Sequence, residues 1–220
     1  MIILSVEGNI GSGKSTVLQE VKARLPPNAK ILMEPVNSFQ EYNGTNPLKL
    51  FYEYPSKYAF FTQRHIIDSL YKHFREQVQE KEHISLLLCE RNLFSSIVFT
   101  NVLFRMGWLT DNEKEKLHGY SQQMLAKVCP DIPMGAHYVF YIHELPQVCQ
   151  NRIFKRGREG ESVISCEYLS YLEEEYNDYR EKFTKTYGDF SLWMVPPDRS
   201  RQEKVEDLLT FVNQILKKER

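Results

Sequence analysis

The chain has 220 residues and a formal net charge of −1, because 28 Lys and Arg residues oppose 29 Asp and Glu residues. This length suits one domain with a substantial core, and we predict a single domain over residues 1–220. The charge balance argues against a dedicated nucleic-acid-binding protein, which usually carries a basic excess.

The cysteine pattern indicates a reducing compartment, and the apolar runs indicate no secretion signal or membrane span. No CxxC pair occurs among the four cysteines, so we expect buried, reduced thiols rather than disulfides or a zinc cluster. These residues are Cys89, Cys129, Cys149 and Cys166. No secretory signal or membrane-spanning stretch is evident, and Met1 directly precedes the first apolar run. We therefore expect a cytoplasmic protein that makes no membrane contact.

Short apolar runs alternate with helical patterns along the chain. The runs predict strands at Ile2–Val6, Ile31–Met33, Ile84–Cys89, Tyr138–Ile142 and Leu192–Val195. The helical patterns cover Lys14–Leu25, Lys57–Gln79, Leu93–Arg105, Asp111–Val128, Leu145–Arg156, Glu167–Tyr187 and Arg201–Lys217. This alternation predicts an α/β fold, with a five-stranded parallel sheet flanked by helices. Two polar stretches, Asn37–Asn46 and Gly157–Ser165, are expected to be mobile loops.

The segment after the first predicted strand matches the phosphate-binding pattern GxxxxGK[ST]. Its glycines let backbone N–H groups surround phosphates, Lys14 supplies a positive charge, and the hydroxyl of Ser15 can bind Mg²⁺. We predict a P-loop that binds the phosphates of ATP. Its residues are Gly8, Asn9, Ile10, Gly11, Ser12, Gly13, Lys14, Ser15 and Thr16.

Charged residues follow two other predicted strands, where open α/β sheets bind ligands. Glu34 precedes a proline, which favours an extended backbone, and its carboxylate could accept the proton of an attacking hydroxyl. Glu90 could join a Mg²⁺ shell, and Arg91 could orient an acid or a phosphate. The alternatives are a solvated acid at Glu34 and a structural ion pair at Glu90 and Arg91.

Three arginines end a predicted helix and enter a glycine-containing loop. Arg152 and Arg156 share a helix face, and Arg158 follows one glycine later. We predict an arginine-rich lid at about residues 152–165 that clamps a transferring phosphoryl group. The simpler interpretation is a set of solvated cations favoured by the helix C-terminus.

Gln63 lies within the apolar stripe of the helix predicted at Lys57–Gln79. A carboxamide on such a face needs partners, and it offers a donor and an acceptor that match the edge of a nucleobase. A bond to nearby backbone is the alternative. Aromatic residues around this helix could form either plain core or a flat slot for a base. They include Phe39, Tyr42, Phe51, Tyr52 and Phe61.

Taken in order, these motifs resemble the deoxyribonucleoside kinase family, which includes deoxycytidine, deoxyguanosine and mitochondrial-type thymidine kinases. The resemblance covers nearly the whole chain. It rests on GNIGSGKST, Glu34-Pro35-Val36, Phe51-Tyr52-Glu53 with Gln63, Glu90-Arg91, the arginines of the lid, and Glu161 through Glu167-Tyr168-Leu169. It implies the P-loop kinase fold and transfer of the ATP γ-phosphate, with Mg²⁺, to the 5′-hydroxyl of a deoxynucleoside in nucleotide salvage for DNA synthesis.

The resemblance also implies a role for each site residue. Glu34 would be the general base, with Arg91 and Lys14 as the other catalytic groups, and Glu90 would belong to the Mg²⁺ shell. Gln63 would read the base, while Tyr52 and Glu161 would hold the sugar 3′-hydroxyl. The pocket wall would include Phe39, Leu48, Phe51, Ile66, Leu70 and Ser96. The resemblance further implies a homodimer, packed through the helices at Lys57–Gln79 and Leu93–Arg105.

Some positions depart from the family pattern or align with it in more than one way. Asn92 stands where the family has serine after Glu-Arg, and we expect activity to survive because that serine is not the reacting group. Leu70 and Ser96 align where members that accept deoxycytidine and purines place an arginine and an aspartate. Thymidine-accepting members have small or apolar residues at these two positions, so we predict a preference for pyrimidines, thymidine included. A family aromatic aligns at either Phe99 or Thr100.

The nearest rival is a nucleoside monophosphate kinase of the thymidylate kinase type, which also combines a P-loop with an arginine lid. It would need further arginines around its acceptor phosphate, and the stretch Glu34-Pro35-Val36 contains none. A GTP-dependent switch would need an NKxD motif, which the sequence lacks. A nucleotide-binding scaffold without transfer activity is a third alternative.

Overall fold

The computed structural model describes residues 1–79, 84–128 and 137–219. Within them lie the strands β1 (Ile2–Gly8), β2 (Ala29–Leu32), β3 (Leu86–Glu90), β4 (His137–Ile142) and β5 (Leu192–Val195). All four neighbouring pairs are parallel, and the strand order is β2-β3-β1-β4-β5. The predicted five-stranded parallel sheet is therefore confirmed, with strand bounds that differ from the prediction by at most two residues.

The helices connect and cover these strands. Their bounds are α1 (Lys14–Val21), α2 (Val36–Phe39), α3 (Pro47–Glu53), α4 (Pro55–Gln79), α5 (Ser95–Arg105), α6 (Asp111–Val128), α7 (Pro146–Arg156), α8 (Cys166–Tyr187) and α9 (Arg201–Lys218). The seven predicted helices are all present among them. The first is shorter than predicted, because the chain tightens into a 3₁₀ turn at Lys22–Arg24.

The sheet is buried on both faces, since successive strand residues point to opposite sides. Leu86 and Leu88 of β3 pack with α1 and α9 on one face. Leu87 and Cys89 pack with α4, α5 and α8 on the other face. This burial explains why the central strands have nearly continuous apolar sequences.

The register of the strands brings the predicted site residues to the carboxyl edge of the sheet. Val6 of β1 lies beside Glu90 of β3, and Gly8 lies beside Ile142 of β4. β2 ends at Leu32, two residues before Glu34. The carboxyl ends of four adjacent strands thus converge on the P-loop.

Two short helices lie where we predicted loop or assigned no element. The predicted loop Asn37–Asn46 is wrong over its first three residues, because α2 forms there with Ser38 N–H bonded to the carbonyl of Pro35 at 2.9 Å. The helix α3 begins at a proline directly after Asn46, whose side chain accepts a hydrogen bond from Lys49 N–H at 3.0 Å. An Asn cap followed by proline is a helix-start signal.

The cysteines only partly follow the prediction. Cys89 and Cys149 are buried free thiols, whereas Cys166 is half-buried at the start of α8. Burial raises the pKa of the Cys149 thiol to about 12. Cys129 lies outside the described residues.

No helix in the described ranges is long and apolar enough to cross a membrane. The cytoplasmic location stays a prediction from the sequence.

We expect Gly8→Ala to destabilise the protein by about 2 kcal/mol or more, because L-residues are strained in this backbone region and the new atom has no space. Gly8 has φ +140°, and a Cβ there would lie 2.4 Å from the carbonyl oxygen of Ile142. The free energy of unfolding in urea measures the effect.

Gly119→Ala is the matched control. Gly119 is exposed in α6, and a Cβ there would meet nothing within 4 Å. Helix propensity then predicts a gain of about 0.5–1 kcal/mol. Equal stability of the two variants would contradict the steric argument at Gly8.

Candidate active site

A cavity of about 300 Å³ opens at the carboxyl ends of the strands. The P-loop and the start of α1 form one end, and the helices α2 to α5 form the other. Arginines of α7 and the loop after it complete the lining. The cavity therefore joins a phosphate-binding element to a separate, largely apolar compartment.

The P-loop is built by close backbone approaches at its glycines. A Cβ at Gly11, where φ is +81°, would lie 2.6 Å from the backbone oxygen of Cys149 in α7. The side chain of Asn9 donates to the backbone oxygen of Leu169 in α8 at 2.7 Å, and its oxygen accepts from Ile10 N–H at 2.9 Å. The loop conformation is thus held by α7 and α8 as well as by its own sequence.

Lys14 is buried beneath the loop. Its Nζ donates to the backbone oxygens of Gly8 at 3.1 Å and Asn9 at 2.7 Å. Burial lowers the pKa of Lys14 to about 8, and the nearby charge of Arg91 also lowers it. An anionic ligand at the loop would favour the charged ammonium.

Ser15 and Glu90 provide oxygens that fit Mg²⁺. Ser15 Oγ donates to Glu90 Oε1 at 2.5 Å, directly beside the P-loop. Mg²⁺ is commonly held by one or two protein oxygens, substrate phosphates and water. In the described part of the chain, no three His, Cys, Asp or Glu side chains form a metal-binding group of their own. This donor set suits a metal that arrives with a nucleotide.

Arg91 lies at the centre of a buried charge network. Its Nη1 contacts the hydroxyl of Tyr176 and lies 4.0 Å from Glu7 Oε2, while its Nε lies 3.2 Å from Glu34 Oε1. Both Arg91 and Glu7 are buried. Opposite charges compensate the desolvation that an isolated buried guanidinium would suffer.

Glu7 supports this arginine from β1. Ser95 Oγ lies 2.8 Å from both carboxylate oxygens of Glu7, and the Tyr176 hydroxyl donates to Oε2 at 3.1 Å. Burial raises the pKa of Glu7 above its usual value, although Arg91 and these hydrogen bonds oppose the rise. Glu7 therefore has enough partners to act as the buried counter-charge of Arg91.

Glu34 reaches the cavity from the end of β2. Its side chain is 21% exposed, and its backbone N–H donates to Glu90 Oε2 at 3.4 Å. Burial raises the pKa of Glu34, Arg91 lowers it, and Glu90 raises it again. A carboxylate with a raised pKa that faces a cavity has the properties of a general base.

The compartment beside Glu34 is a slot with apolar walls and one carboxamide. Its lining includes Phe39, Leu48, Phe51, Tyr52, Ile66 and Leu70. Gln63 is buried there, and its Nε2 donates to the backbone oxygen of Ser96 at 3.0 Å. This bond orients the carboxamide, whose oxygen can accept from a ligand. Such a slot suits a flat, partly polar ring.

The loop after α7 folds its arginines over this slot. Glu161 is buried, and its carboxylate oxygens accept hydrogen bonds from Arg156 Nε at 2.8 Å and Arg158 Nη1 at 3.1 Å. Gly160 permits the approach, because a Cβ there would lie 2.9 Å from the ring of Tyr52. The predicted loop Gly157–Ser165 also contains a 3₁₀ turn at Glu161–Val163.

The structure brings almost all predicted site residues to this one cavity. Twenty-one of them line it, from the P-loop, the acidic strand ends, the slot and the lid. The exceptions are Gly8, Asn9 and Ser12, which belong to the P-loop but are buried and do not line the cavity. Tyr42 and Phe61 form neither core nor slot, since both are exposed and pack against each other.

Comparison with known proteins identifies the family. The family model described as deoxynucleoside kinase matches residues 4–217. The chain belongs to the deoxynucleoside kinase family. Human mitochondrial thymidine kinase 2 is 31% identical over 179 residues, which span 79% of this chain and 63% of that protein. The thymidine kinase of Ictalurid herpesvirus 1 is 28% identical, over 96% of this chain and 86% of the relative.

A solved structure supports the fold of this deoxynucleoside kinase family member. The deoxyadenosine kinase from M. mycoides with bound dATP aligns with a TM-score of 0.74, over 96% of this chain and 100% of that chain, at 19% identity. The predicted P-loop kinase fold is confirmed by this likeness.

The structure defines the contacts of Asn92 and of the pair Phe99 and Thr100, which the family pattern singled out. Phe99 lines the cavity, with Arg91 Cζ 4.8 Å from its ring centre, whereas Thr100 donates to the backbone oxygen of Ser96 at 2.8 Å. Asn92, which replaces the family serine, accepts from Phe94 N–H at 2.8 Å and donates to Ser5 Oγ at 2.5 Å. Asn92 thus connects the start of α5 to β1.

Sequence reasoning missed several residues of this site, among them Glu7, Tyr168 and Tyr176. Glu7 follows a buried apolar run, as Glu90 does, so the same strand-end signal could have identified it. Tyr168 lines the cavity and stacks on Trp108, with ring centres 5.8 Å apart. Tyr176 lies in the apolar stripe of α8, and nothing in its sequence context separates it from ordinary core.

We expect Tyr176→Phe to lower the free energy of unfolding by about 1–3 kcal/mol, because buried Glu7 and Arg91 would lose a hydrogen-bond partner. Chemical denaturation measures the loss. Tyr171→Phe on the same helix is the control, since its hydroxyl makes an exposed 3.3 Å bond to Glu167. Equal effects of the two changes would argue against a network held by Tyr176.

Proposed function

We propose that this protein transfers the γ-phosphoryl group of ATP to the 5′-hydroxyl of a deoxynucleoside, with a preference for pyrimidines. The observation that carries the proposal is the position of Glu34. This carboxylate, paired with Arg91 at 3.2 Å, lies in one cavity with the P-loop Lys14 and the slot of Gln63. A base placed between a phosphate site and a ring-sized slot fits phosphoryl transfer to a nucleoside hydroxyl.

On the donor side, the backbone N–H groups of the P-loop and Lys14 bind the phosphates of ATP. Ser15 and Glu90 would hold Mg²⁺, which supplies charge neutralisation and orientation of the phosphates when bound. Arg152, Arg156 and Arg158 line the cavity above the loop. Their guanidinium groups neutralise the charge that develops on the transferred group.

On the acceptor side, Gln63 binds the base, and Tyr52 and Glu161 bind the sugar 3′-hydroxyl. Glu34 then takes the proton of the 5′-hydroxyl as this oxygen attacks the γ-phosphorus in line. Arg91 keeps Glu34 in place through their ion pair. The product is a deoxynucleoside monophosphate, which supplies nucleotide salvage for DNA synthesis.

The pyrimidine preference is supported by what surrounds the carboxamide. Leu70 and Ser96 line the slot, and Ser96 Oγ is engaged with Leu93 O at 2.5 Å and Ser121 Oγ at 3.0 Å. These residues present no charge to a base. Thymine can donate its N3–H to the Gln63 oxygen, and cytosine can accept at N3 from the second N–H of the same carboxamide.

We further propose that the protein acts as a homodimer, as the family resemblance implies.

A nucleoside monophosphate kinase of the thymidylate kinase type is the alternative function. Arg91, the arginine beside Glu34, already pairs with that carboxylate at 3.2 Å. An acceptor phosphate beside Glu34 would have to compete with this ion pair, which favours a neutral nucleoside.

The first test is ADP release with ATP and Mg²⁺ across thymidine, deoxycytidine, deoxyadenosine, deoxyguanosine, uridine and thymidine monophosphate. We expect turnover with thymidine and deoxycytidine and little with the monophosphate. Dominant purine turnover would keep the kinase activity but overturn the argument from Leu70 and Ser96. Turnover with the monophosphate alone would establish the alternative function instead.

We expect Glu34→Gln to lower kcat about 10²- to 10⁴-fold, the usual contribution of general-base catalysis, while ATP binding stays near that of the parent protein. Steady-state kinetics and ATP titration measure the two effects. Glu41→Gln is the control, because this acid lies in an exposed loop. Parental turnover in Glu34→Gln would remove Glu34 from the role of base.

A further inference from the structure

A buried ion pair connects the last helix to the end of β4. Lys204 of α9 and Glu144 are only 4% and 2% exposed, and Lys204 Nζ donates to Glu144 Oε2 at 3.0 Å. Burial of two charges is costly in desolvation, and such a pair adds little net stability over apolar residues. α9 also forms an exposed pair, Arg24 with Glu206, which carries no such cost. The buried pair therefore calls for a structural or functional reason.

The same carboxylate oxygen holds an arginine of the lid. Arg152 Nη1 lies 2.9 Å from Glu144 Oε2 and 3.4 Å from the backbone oxygens of Gly11 and Ser12. Glu144 Oε1 in turn accepts from Leu145 N–H at 3.3 Å. Glu144 is thus fixed by backbone on one oxygen and shared by two cations on the other.

This arrangement anchors only one edge of the guanidinium. In the ranges that the structure describes, the hydrogen bonds and the ion pair of Arg152 all use Nη1. Its side chain is 46% exposed and lines the cavity beside the P-loop. Since guanidinium has five N–H donors in a rigid plane, the remaining donors can bind an anion while Nη1 stays attached.

We propose that Glu144 and Lys204 are positioning residues that hold Arg152 ready for the triphosphate of the donor. Lys204 keeps Glu144 in place from α9, and Glu144 orients the guanidinium against the P-loop. Pre-orientation lowers the entropic cost of recruiting a long, exposed side chain when ATP binds. The role of Arg152 toward ATP rests on the proposed function.

The test removes both buried charges together, because loss of one alone would leave an uncompensated charge. We expect Glu144→Gln/Lys204→Met to raise the Kd for ATP–Mg²⁺ about tenfold, the equivalent of one charge-assisted hydrogen bond. Calorimetric titration without any nucleoside measures it. A Kd that is unchanged or lower would overturn the proposal, since a lower value would mean that Glu144 withholds Arg152 from the phosphates.

A cycle with Arg152→Ala separates positioning from general damage. In the Arg152→Ala background we expect the double change to alter the Kd less than about twofold, because Glu144 then has no arginine to position. A tenfold loss that persists in this background would overturn the proposal. Glu206→Gln is the matched control on the same helix, and we expect it to leave the Kd unchanged.

Two further measurements keep the result interpretable. If the double variant does not fold, Glu144→Asp, which retains the charge but shortens the side chain, should raise the Kd about threefold, and an unchanged value would overturn the proposal. The kinase assay of the parent protein is independent of this titration. A parent protein that binds ATP but transfers no phosphoryl group would refute the proposed function alone.

Discussion

The need to compensate one buried guanidinium organises the cavity at the carboxyl ends of the strands. Arg91 carries a permanent charge at a position that is 5% exposed, so it must be surrounded by partners. Those partners come from three different elements: Glu7 at the end of β1, Glu34 after β2, and Tyr176 in α8. The ion pair that compensates the charge of Arg91 therefore also places Glu34, the candidate base, at the cavity.

Close backbone packing imposes the second constraint, at the phosphate-binding end. Gly8 and Gly11 lie against backbone oxygens of Ile142 and Cys149, so β4 and α7 are held directly on the P-loop. α7 also carries Arg152 and Arg156, and Glu144 precedes its first turn. A short path of contacts thus joins the P-loop, Arg152 of α7, Glu144 and Lys204 of α9.

Much of this architecture could be read from local patterns. The apolar runs marked every strand, since strands buried on both faces need apolar residues throughout. The strand-end rule places Glu34, Glu90 and Arg91 at one edge of the sheet. The helix α3 was missed because seven residues are too few to show clear periodicity, although Asn46 and Pro47 carry the start signal.

The sequence by itself determined the fold class, the P-loop and the placement of most predicted site residues around one cavity, because these depend on local motifs and on the convergence of parallel strand ends. Only the tertiary structure decided which charges pair. The pairs are Glu7 with Arg91, Glu161 with Arg156 and Arg158, and Lys204 with Glu144. Some of these partners are far apart along the chain, and the others meet because of the direction of their side chains. Ion pairing depends on distances of a few ångströms between elements, and no periodicity or motif specifies those distances.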